Sequence, residues 1–235
     1  YDCFGRRVMK KVYNPPANVP ANIRIVSGGN TRGAAMWQTL EEWDVDGEPA
    51  LYTSFVYGNY IDEVLSMRKD PDGSGSAGVQ DYYFHQDDLF NVVLVTDGAG
   101  DAAERYEYGD YGAPFYFTGA GSSTPSSAIN NTRLFNGREW DEETRFYYYR
   151  TRYLEPTMGR FTTRDTIGVW GDAANVGSGV GYAASNSLSL IDPFGRDCFS
   201  NCVSNCSDAQ CRQRCASACR GGCAPGSDCD PSGTV

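Results

Sequence analysis

The sequence is short of positive charge, of histidine and of long apolar runs. It carries 20 lysines and arginines against 30 aspartates and glutamates, which gives a formal net charge of −10 at pH 7. Nucleic-acid binding requires a basic face, and the sequence contains no basic run, so it predicts no nucleic-acid partner. No segment approaches the roughly 20 apolar residues of a membrane span, so no membrane span is predicted either.

Histidine is almost absent, since His85 is the only one. A Ser–His–Asp or Cys–His catalytic device would have to use His85. No nucleophile motif such as Gly-x-Ser-x-Gly accompanies it. We therefore interpret His85 as a structural residue of a strand.

Glycine and aromatic residues are abundant, with 27 glycines, 16 tyrosines and 11 phenylalanines. Aromatic side chains favour strands. The apolar runs are short and end at turn dipeptides such as Asp46-Gly47 and Asp97-Gly98. The sequence shows no βαβ alternation. It therefore predicts an all-β domain of antiparallel hairpins over residues 1–195, with a low-complexity linker at 120–131.

Cysteine is confined almost entirely to the last 40 residues. Eight of the nine cysteines lie there: Cys198, Cys202, Cys206, Cys211, Cys215, Cys219, Cys223 and Cys229. An even cluster of this kind is typical of disulfides formed in an oxidising compartment. It predicts a secreted or cell-surface protein. The chain begins at Tyr1 without a methionine, which indicates a fragment or processed product, so a missing signal peptide does not bear on export.

The spacing of these cysteines predicts a small α-helical hairpin over residues 196–235. Two sets repeat every four residues, which places the thiols of each set on one helix face. Two facing stripes would pair as Cys206–Cys211, Cys202–Cys215 and Cys198–Cys219, leaving Cys223–Cys229. This pairing rests on spacing alone, and two Cys₄ zinc sites are the alternative. Cys3 is left over, either as a buried thiol or as the partner of a cysteine elsewhere.

Residues 70–81 match the register of a calcium-binding loop. Asp70, Asp72 and Ser74 stand at its first, third and fifth positions, and Asp81 stands at the twelfth. The flanks do not look helical, so a polar loop between strands is the alternative. Apart from the zinc alternative for the cysteines, the sequence predicts no cofactor, with calcium as the single candidate.

Four segments in order resemble the RHS/YD-repeat family and its C-terminal repeat-associated core domain. YDCFGRRV at 1–8 is similar to the family's repeat unit, and the segments at 82–112 and 134–161 (LFNGREWDEETRFYYYRTRYLEPTMGRF) are similar to core motifs. DPFG at 192–195 matches the closing DPxG motif. The resemblance implies a hollow β shell wound as a spiral of hairpins. A variable segment follows DPxG, and in many members it is a toxin held inside the shell.

The function implied by this resemblance is structural. The chain would be an end-cap segment of an exported bacterial, polymorphic toxin-like RHS protein that encloses or displays its own C-terminal segment. Further YD repeats, N-terminal in the parent chain, would cover the exposed edge of the sheet. A cell-surface adhesion or fibre-forming subunit, self-associating through exposed β edges, is the alternative.

The resemblance also implies one candidate reaction, aspartyl self-cleavage after DPxG. One carboxylate would activate water and a protonated one would supply a proton. By similarity the candidates are Asp165 and Asp172, and the cleaved bond would follow Arg196. The sequence departs from the family here, because DTIG replaces DPIG and Arg196 replaces the usual leucine. These departures favour a structural carboxylate and a non-enzymatic shell.

Overall fold

The computed structural model describes residues 1–2, 6–15, 19–28, 37–70, 78–165 and 178–195. They belong to two compact units, 1–145 and 146–235, and consist of antiparallel strands, loops and short 3₁₀ turns. The predicted all-β antiparallel class is confirmed. The helical hairpin, its eight cysteines and Cys3 lie outside the described residues and stay predictions, as does the domain boundary after residue 195. Among the described residues no helix is both long and apolar enough to cross a bilayer.

The described part of the first unit contains one antiparallel sheet of ten strands in chain order. The strands are β1 (Met9–Lys11), β2 (Asn22–Ser27), β3 (Thr39–Asp44), β4 (Ala50–Tyr57), β5 (Val64–Lys69), β6 (Gln80–Gln86), β7 (Val92–Asp97), β8 (Ala102–Tyr108), β9 (Pro114–Thr118) and β10 (Ser123–Thr124). Every strand pairs with its neighbours in sequence, so the sheet is a meander without crossover connections.

One face of this sheet carries the core of the first unit. Phe55, Met67 and Tyr82 are buried and lie opposite one another on β4, β5 and β6. Val56 and Tyr83, one residue further along β4 and β6, are 58% and 48% exposed. This alternation follows from the two-residue period of a strand, and it defines a buried inner face and a solvent-facing outer face.

A hairpin of residues 131–141, here called the inner hairpin, is buried within the first unit. It contains the 3₁₀ turn Phe135–Gly137 and β11 (Glu139–Asp141). The amide of Val92 on β7 donates to the Leu134 carbonyl at 3.2 Å, and the side-chain amide of Asn136 donates to the Leu89 carbonyl at 2.9 Å. All of its residues except Thr132 are buried. A segment rich in charged residues thus lies in the interior.

The predicted linker at 120–131 is held against the sheet. Its residues 123–124 form β10. The buried Glu104 carboxylate on β8 accepts hydrogen bonds from the Ser127 hydroxyl at 2.8 Å and the Ile129 amide at 3.1 Å. It also accepts one from the Tyr106 hydroxyl at 2.5 Å. Low complexity therefore does not correspond to a free linker here, because one carboxylate provides the acceptors for this segment.

The described part of the second unit contains three antiparallel strands, β12 (Phe146–Tyr149), β13 (Arg152–Glu155) and β14 (Arg160–Phe161), and the 3₁₀ turn Ala183–Ser185. Its core is a cluster of three rings in edge-to-face contact. Tyr149, Phe161 and Tyr182 have centroids 5.5 to 5.7 Å apart. Such pairs add about 0.5–1.5 kcal/mol each beyond their burial. Aromatic packing therefore compensates for the small size of this sheet.

Gly137 in the inner hairpin should tolerate no side chain. Its φ is +65°, and a Cβ would lie 2.2 Å from the Asp62 carbonyl oxygen. Gly100 has a φ of +89° but open space around a Cβ, so it is a matched control. We expect Gly100→Ala to cost about 1–2 kcal/mol, the price of the left-handed conformation alone. Gly137→Ala should cost at least ~2 kcal/mol more; equal urea midpoints for the two variants would contradict the contact.

Candidate functional site

Arg152 is the centre of a buried polar cluster in the second unit. It opens β13, and its side chain is 1% exposed. The guanidinium stacks 3.6 Å above the Phe161 ring. Its Nη2 lies 2.8 Å from Asp165 Oδ2 and 3.2 Å from Asp192 Oδ2. One cation therefore joins two carboxylates that are 27 residues apart in the sequence.

The same turn fixes the end of the DPFG motif. Arg152 Nε donates to the Gly195 carbonyl at 2.5 Å, and the Thr151 hydroxyl lies 2.7 Å from the Phe194 carbonyl and 3.0 Å from that of Gly195. Arg150 Nη1 donates to the Pro193 carbonyl. Three consecutive residues thus hold the three carbonyls of 193–195.

The conformation of Gly195 requires glycine. Its φ is +67°, and a Cβ would meet the Tyr149 carbonyl oxygen at 2.6 Å. Only glycine adopts this backbone without a steric penalty at such a close approach. The motif glycine therefore has a physical reason, which is contact with the β12–β13 turn.

The structure describes only some of the residues that are predicted to take part in self-cleavage. Asp165 lies in the Arg152 cluster, where the same guanidinium also contacts Asp192 and donates to the Gly195 carbonyl. Asp172 and the bond after Arg196 lie outside the described residues. Chemically, the described atoms provide two carboxylates and two donors on one carbonyl oxygen. The Arg152 guanidinium counters the carboxylate charge, which favours a structural role as well.

Sequence reasoning had not assigned a role to Arg152 or Asp192. A signal for Arg152 was available in the strand pattern. Leu154 is fully buried on β13, and period two places the side chain of residue 152 on the same face. A buried arginine requires a carboxylate or carbonyl partner, and Asp192 of the DPFG motif had no assigned partner.

A second buried cluster, here called the ion-pair network, lies in the first unit. Arg7 forms hydrogen bonds to Glu139 Oε1 at 2.7 Å and to both oxygens of Asp141 at 2.9 and 2.7 Å. Arg133 Nη1 lies 3.2 Å from Glu139 Oε2, and its Nη2 lies 3.4 Å from Glu42 Oε1. The GRRV segment thus contacts the GREWD segment of the inner hairpin. The network ties the start of the chain to residues more than 130 positions away.

The pKa values of the two glutamates in this network are shifted in opposite directions. Burial alone would raise the pKa of Glu139, but Arg7, Arg133 and Lys10 outweigh burial and lower it to about 2. Burial raises the pKa of Glu42, and Arg133 offsets this only in part. Glu139 therefore ionises more readily than an ordinary glutamate, and Glu42 less readily.

The structure describes Asp70 and Asp81 of the predicted calcium loop, and it describes His85. Asp81 forms a two-pronged ion pair with Arg68 at 2.7 and 3.0 Å on the outer face. Asp70 is buried, while Asp72 and Ser74 lie outside the described residues. Among the described residues no three His, Cys, Asp or Glu side chains lie close enough together to hold a metal. His85 lies on β6 with its Nε2 3.2 Å from the Thr96 hydroxyl.

Comparison with known proteins gives partial matches, each covering less than half of the relative's length. No protein-family model matches the chain. It is 25% identical over 154 residues to the tRNA3(Ser)-specific nuclease WapA of Bacillus spizizenii, which is 65% of this chain and 6% of WapA. It is 28% identical over 114 residues to double-stranded DNA deaminase toxin A of Burkholderia cenocepacia, 48% of this chain and 7% of the toxin. It is 49% identical over 109 residues to YibJ of Escherichia coli, 46% of this chain and 43% of YibJ.

Solved structures share the fold. The Tc holotoxin pore of Photorhabdus luminescens, carrying a TccC3 variant, superposes with a TM-score of 0.59 at 20% identity, over 84% of this chain and 8% of that chain. TcdB2–TccC3 without its hypervariable C-terminal region gives a TM-score of 0.55 at 20% identity, over 81% and 8%. The chain therefore shares its antiparallel β fold with segments of these Tc toxin structures. Its relatives in sequence include a nuclease and a deaminase toxin, of which it spans less than a tenth.

Proposed function

We propose that this chain is the end-closing segment of an exported, toxin-like RHS β shell that carries a variable C-terminal module after Gly195. The observation that carries the proposal is the fixed exit of the chain. Arg150, Thr151 and Arg152 hold the carbonyls of residues 193–195, and Gly195 packs directly on the Tyr149 carbonyl. A module attached there leaves the shell from one defined point whatever its own sequence is.

The comparisons support this proposal in two ways. One structure that shares the fold was determined without its hypervariable C-terminal region. We propose that residues 196–235 are a variable C-terminal region of the same kind. Relatives named as a tRNA nuclease and a DNA deaminase toxin support a toxin-like parent protein. The proposed module of this chain, residues 196–235, contains eight cysteines. We propose a disulfide-stabilised knob, because a segment this small lacks a sufficient apolar core.

Limited proteolysis of the full chain tests the fixed exit. If residues 193–195 are anchored, an unspecific protease should remove residues beyond 195 and leave a stable product that ends close to Gly195. The Thr151→Val variant removes the hydroxyl that contacts the Phe194 and Gly195 carbonyls and should accelerate cutting inside 186–195. Thr157→Val is the control, because Thr157 is exposed and, among the described residues, its hydroxyl bonds to the Glu155 side chain and to no carbonyl of 193–195. Cutting inside 186–195 as fast as beyond it, in the unmodified chain, would contradict the proposal.

The N-terminal edge of the sheet is the proposed junction with further YD repeats. Among the described residues β1 pairs only with β2, and Met9 is 57% exposed. An unpaired edge of this kind templates another strand. A fibre-forming subunit would use the same edge against a second copy. Light scattering over a range of concentrations distinguishes the two, because only the fibre-forming alternative predicts growth of the particle mass.

Self-cleavage is the second candidate function, and the proximity of Asp165 to Asp192 and the Gly195 carbonyl favours it. We propose Asp165 as one carboxylate and retain Asp172 as the other, with cleavage after Arg196. Intact mass of the chain and of Asp165→Asn tests the reaction. A fragment of residues 1–196 that accumulates only with Asp165 supports cleavage, and an intact mass in both excludes it.

Calcium at Asp70, Asp72, Ser74 and Asp81 is the remaining proposal from the sequence. The Arg68–Asp81 ion pair would have to break for Asp81 to bind a cation. Calorimetric titration of the chain and of Arg68→Met with calcium tests this competition. Tighter binding by the variant supports the site, and the absence of heat in both discards it.

A further inference from the structure

A cavity of about 190 Å³ lies in the first unit beneath the inner face of the sheet. Its lining combines apolar and aromatic side chains, among them Ile23, Tyr52, Tyr116 and Trp140, with polar and charged ones. Its volume is below the ~300 Å³ of pockets that hold drug-sized ligands. The cavity therefore suits a small molecule with a single ring.

One side of the cavity is open to solvent. Ser126, Glu142 and Glu143 belong to its lining and are exposed, whereas Glu42 and Lys69, which also line it, are buried. A small neutral molecule has a path from the exposed rim to the buried wall. Charged molecules are disfavoured, because lysines and glutamates both line the space.

Lys69 forms few contacts for a buried ammonium group. It is 6% exposed. Its Nζ donates one hydrogen bond, at 2.9 Å to the Asn130 carbonyl, and lies 4.8 Å from the centre of the Tyr52 ring. Among the described residues no carboxylate oxygen lies within ion-pair distance of Nζ. Within the described part of the chain, Nζ therefore makes one hydrogen bond and no ion pair, and Lys69 lies in the lining of the cavity.

The amine of Lys69 is easily deprotonated. Burial lowers the pKa of Lys69 to about 8, although Glu42 and Glu104 act in the opposite direction. At pH 7 roughly a tenth of this amine is neutral, about 200-fold more than for a lysine with the ordinary pKa near 10.4. Lys10 differs, since Asp141, Glu139 and Glu143 together outweigh its burial and raise its pKa. The two lysines of this cavity are thus chemically distinct.

We propose that Lys69 is a covalent capture site for small aromatic aldehydes. The neutral Nζ attacks the aldehyde carbon, a C–N bond forms, and the carbonyl oxygen takes up a proton to give a carbinolamine. Loss of water then gives the imine, so one amine and one aldehyde yield one imine and one water, with no oxidant or reductant. Tyr52 and Trp140 contact the ring of the aldehyde, and the departing hydroxyl takes its proton from solvent at the exposed rim.

The sequence makes this proposal easy to test, because Lys10, Lys11 and Lys69 are its only lysines. The full chain is incubated at pH 7 with 4-hydroxybenzaldehyde and sodium cyanoborohydride, which reduces the imine to a stable amine. Peptide mapping by mass spectrometry then gives the rate of adduct formation at each lysine. We expect the rate at Lys69 to exceed that at Lys11 by at least tenfold.

The comparison within one unmodified chain does not depend on any variant folding correctly. Lys69→Arg should abolish the fast adduct, and Lys11→Arg should leave it unchanged. Excess 4-hydroxybenzyl alcohol, which has the ring but no carbonyl, should slow labelling of Lys69 and not of Lys11. Equal rates at Lys69 and Lys11, or labelling at Lys69 that the alcohol leaves unchanged, would overturn the proposal.

Discussion

Replacing Arg152 with methionine should destabilise the second unit by about 3–5 kcal/mol. Methionine keeps an unbranched apolar chain above Phe161 but removes the cation between Asp165 and Asp192. Removal of one partner from a buried ion pair leaves an uncompensated buried charge, which costs about this much. Hydrogen–deuterium exchange of peptides from β12, β13 and β14 measures the effect, because it reports on this unit alone.

The matched control for this prediction is Arg160→Met on β14. Arg160 is exposed, and its Nη2 lies 3.2 Å from the Met158 sulfur, so its removal should change exchange by less than ~0.5 kcal/mol. Adding Asp165→Asn and Asp192→Asn to Arg152→Met should recover part of the loss, since the unpaired charges disappear. If Arg152→Met and Arg160→Met exchange alike, the cluster does not stabilise the unit.

The strands of the first unit could be predicted because their signals are local. ERYEY at 104–108 alternates and lies within β8. The turn at Asp97-Gly98 follows β7 directly, where Asp97 Oδ1 accepts hydrogen bonds from the amides of Ala99 at 2.9 Å and Asp101 at 3.0 Å. A side chain that bonds to the backbone two and four residues later needs no distant partner. Such turns can therefore be identified from a short window of sequence.

The inner hairpin could not be predicted in the same way. The segment NTRLFNGREWD is polar by composition, and polarity indicates a surface position. It is buried because Arg7, Asp62 and Glu42 provide partners for its charges from three distant parts of the chain. No periodicity within the segment encodes those partners. The fold positions them, so the burial becomes visible only when the tertiary structure is known.

The position of Arg152 could be predicted from the local sequence, but its partners could not. The alternation with Leu154 indicates that its side chain lies inside, while its partners Asp165 and Asp192 follow only from the fold. The resemblance to a family motif marked Asp165 and DPFG as important without giving the contact that joins them. The combination of a buried strand arginine with the acidic DPFG motif was the signal that sequence reasoning did not use.

The first unit should lose stability steeply as the pH falls from about 4.5 to about 2. The pKa of Glu139 is lowered to about 2 in the folded chain, from an ordinary value of 4.5. A lowered pKa stabilises the fold above the unfolded value, and this stabilisation is lost as the pH falls through the folded value. A shift of this size corresponds to about 3 kcal/mol. Urea unfolding followed by tryptophan fluorescence, at pH 7, 5 and 3, measures it.

Glu139→Gln and Glu42→Gln should therefore behave oppositely, although both glutamates contact Arg133. Glu139→Gln should lower the unfolding free energy at pH 7 by about 3 kcal/mol and flatten its decrease toward acid pH. Glu42 has a raised pKa, so the stability linked to it is present below its unfolded pKa and is lost as the pH rises through the folded value. Glutamine imitates its protonated form, and Glu42→Gln should not lower the unfolding free energy at pH 7. If the two variants lost the same unfolding free energy at pH 7, the prediction would be wrong, because the charges of Glu139 and Glu42 would then contribute equally to stability.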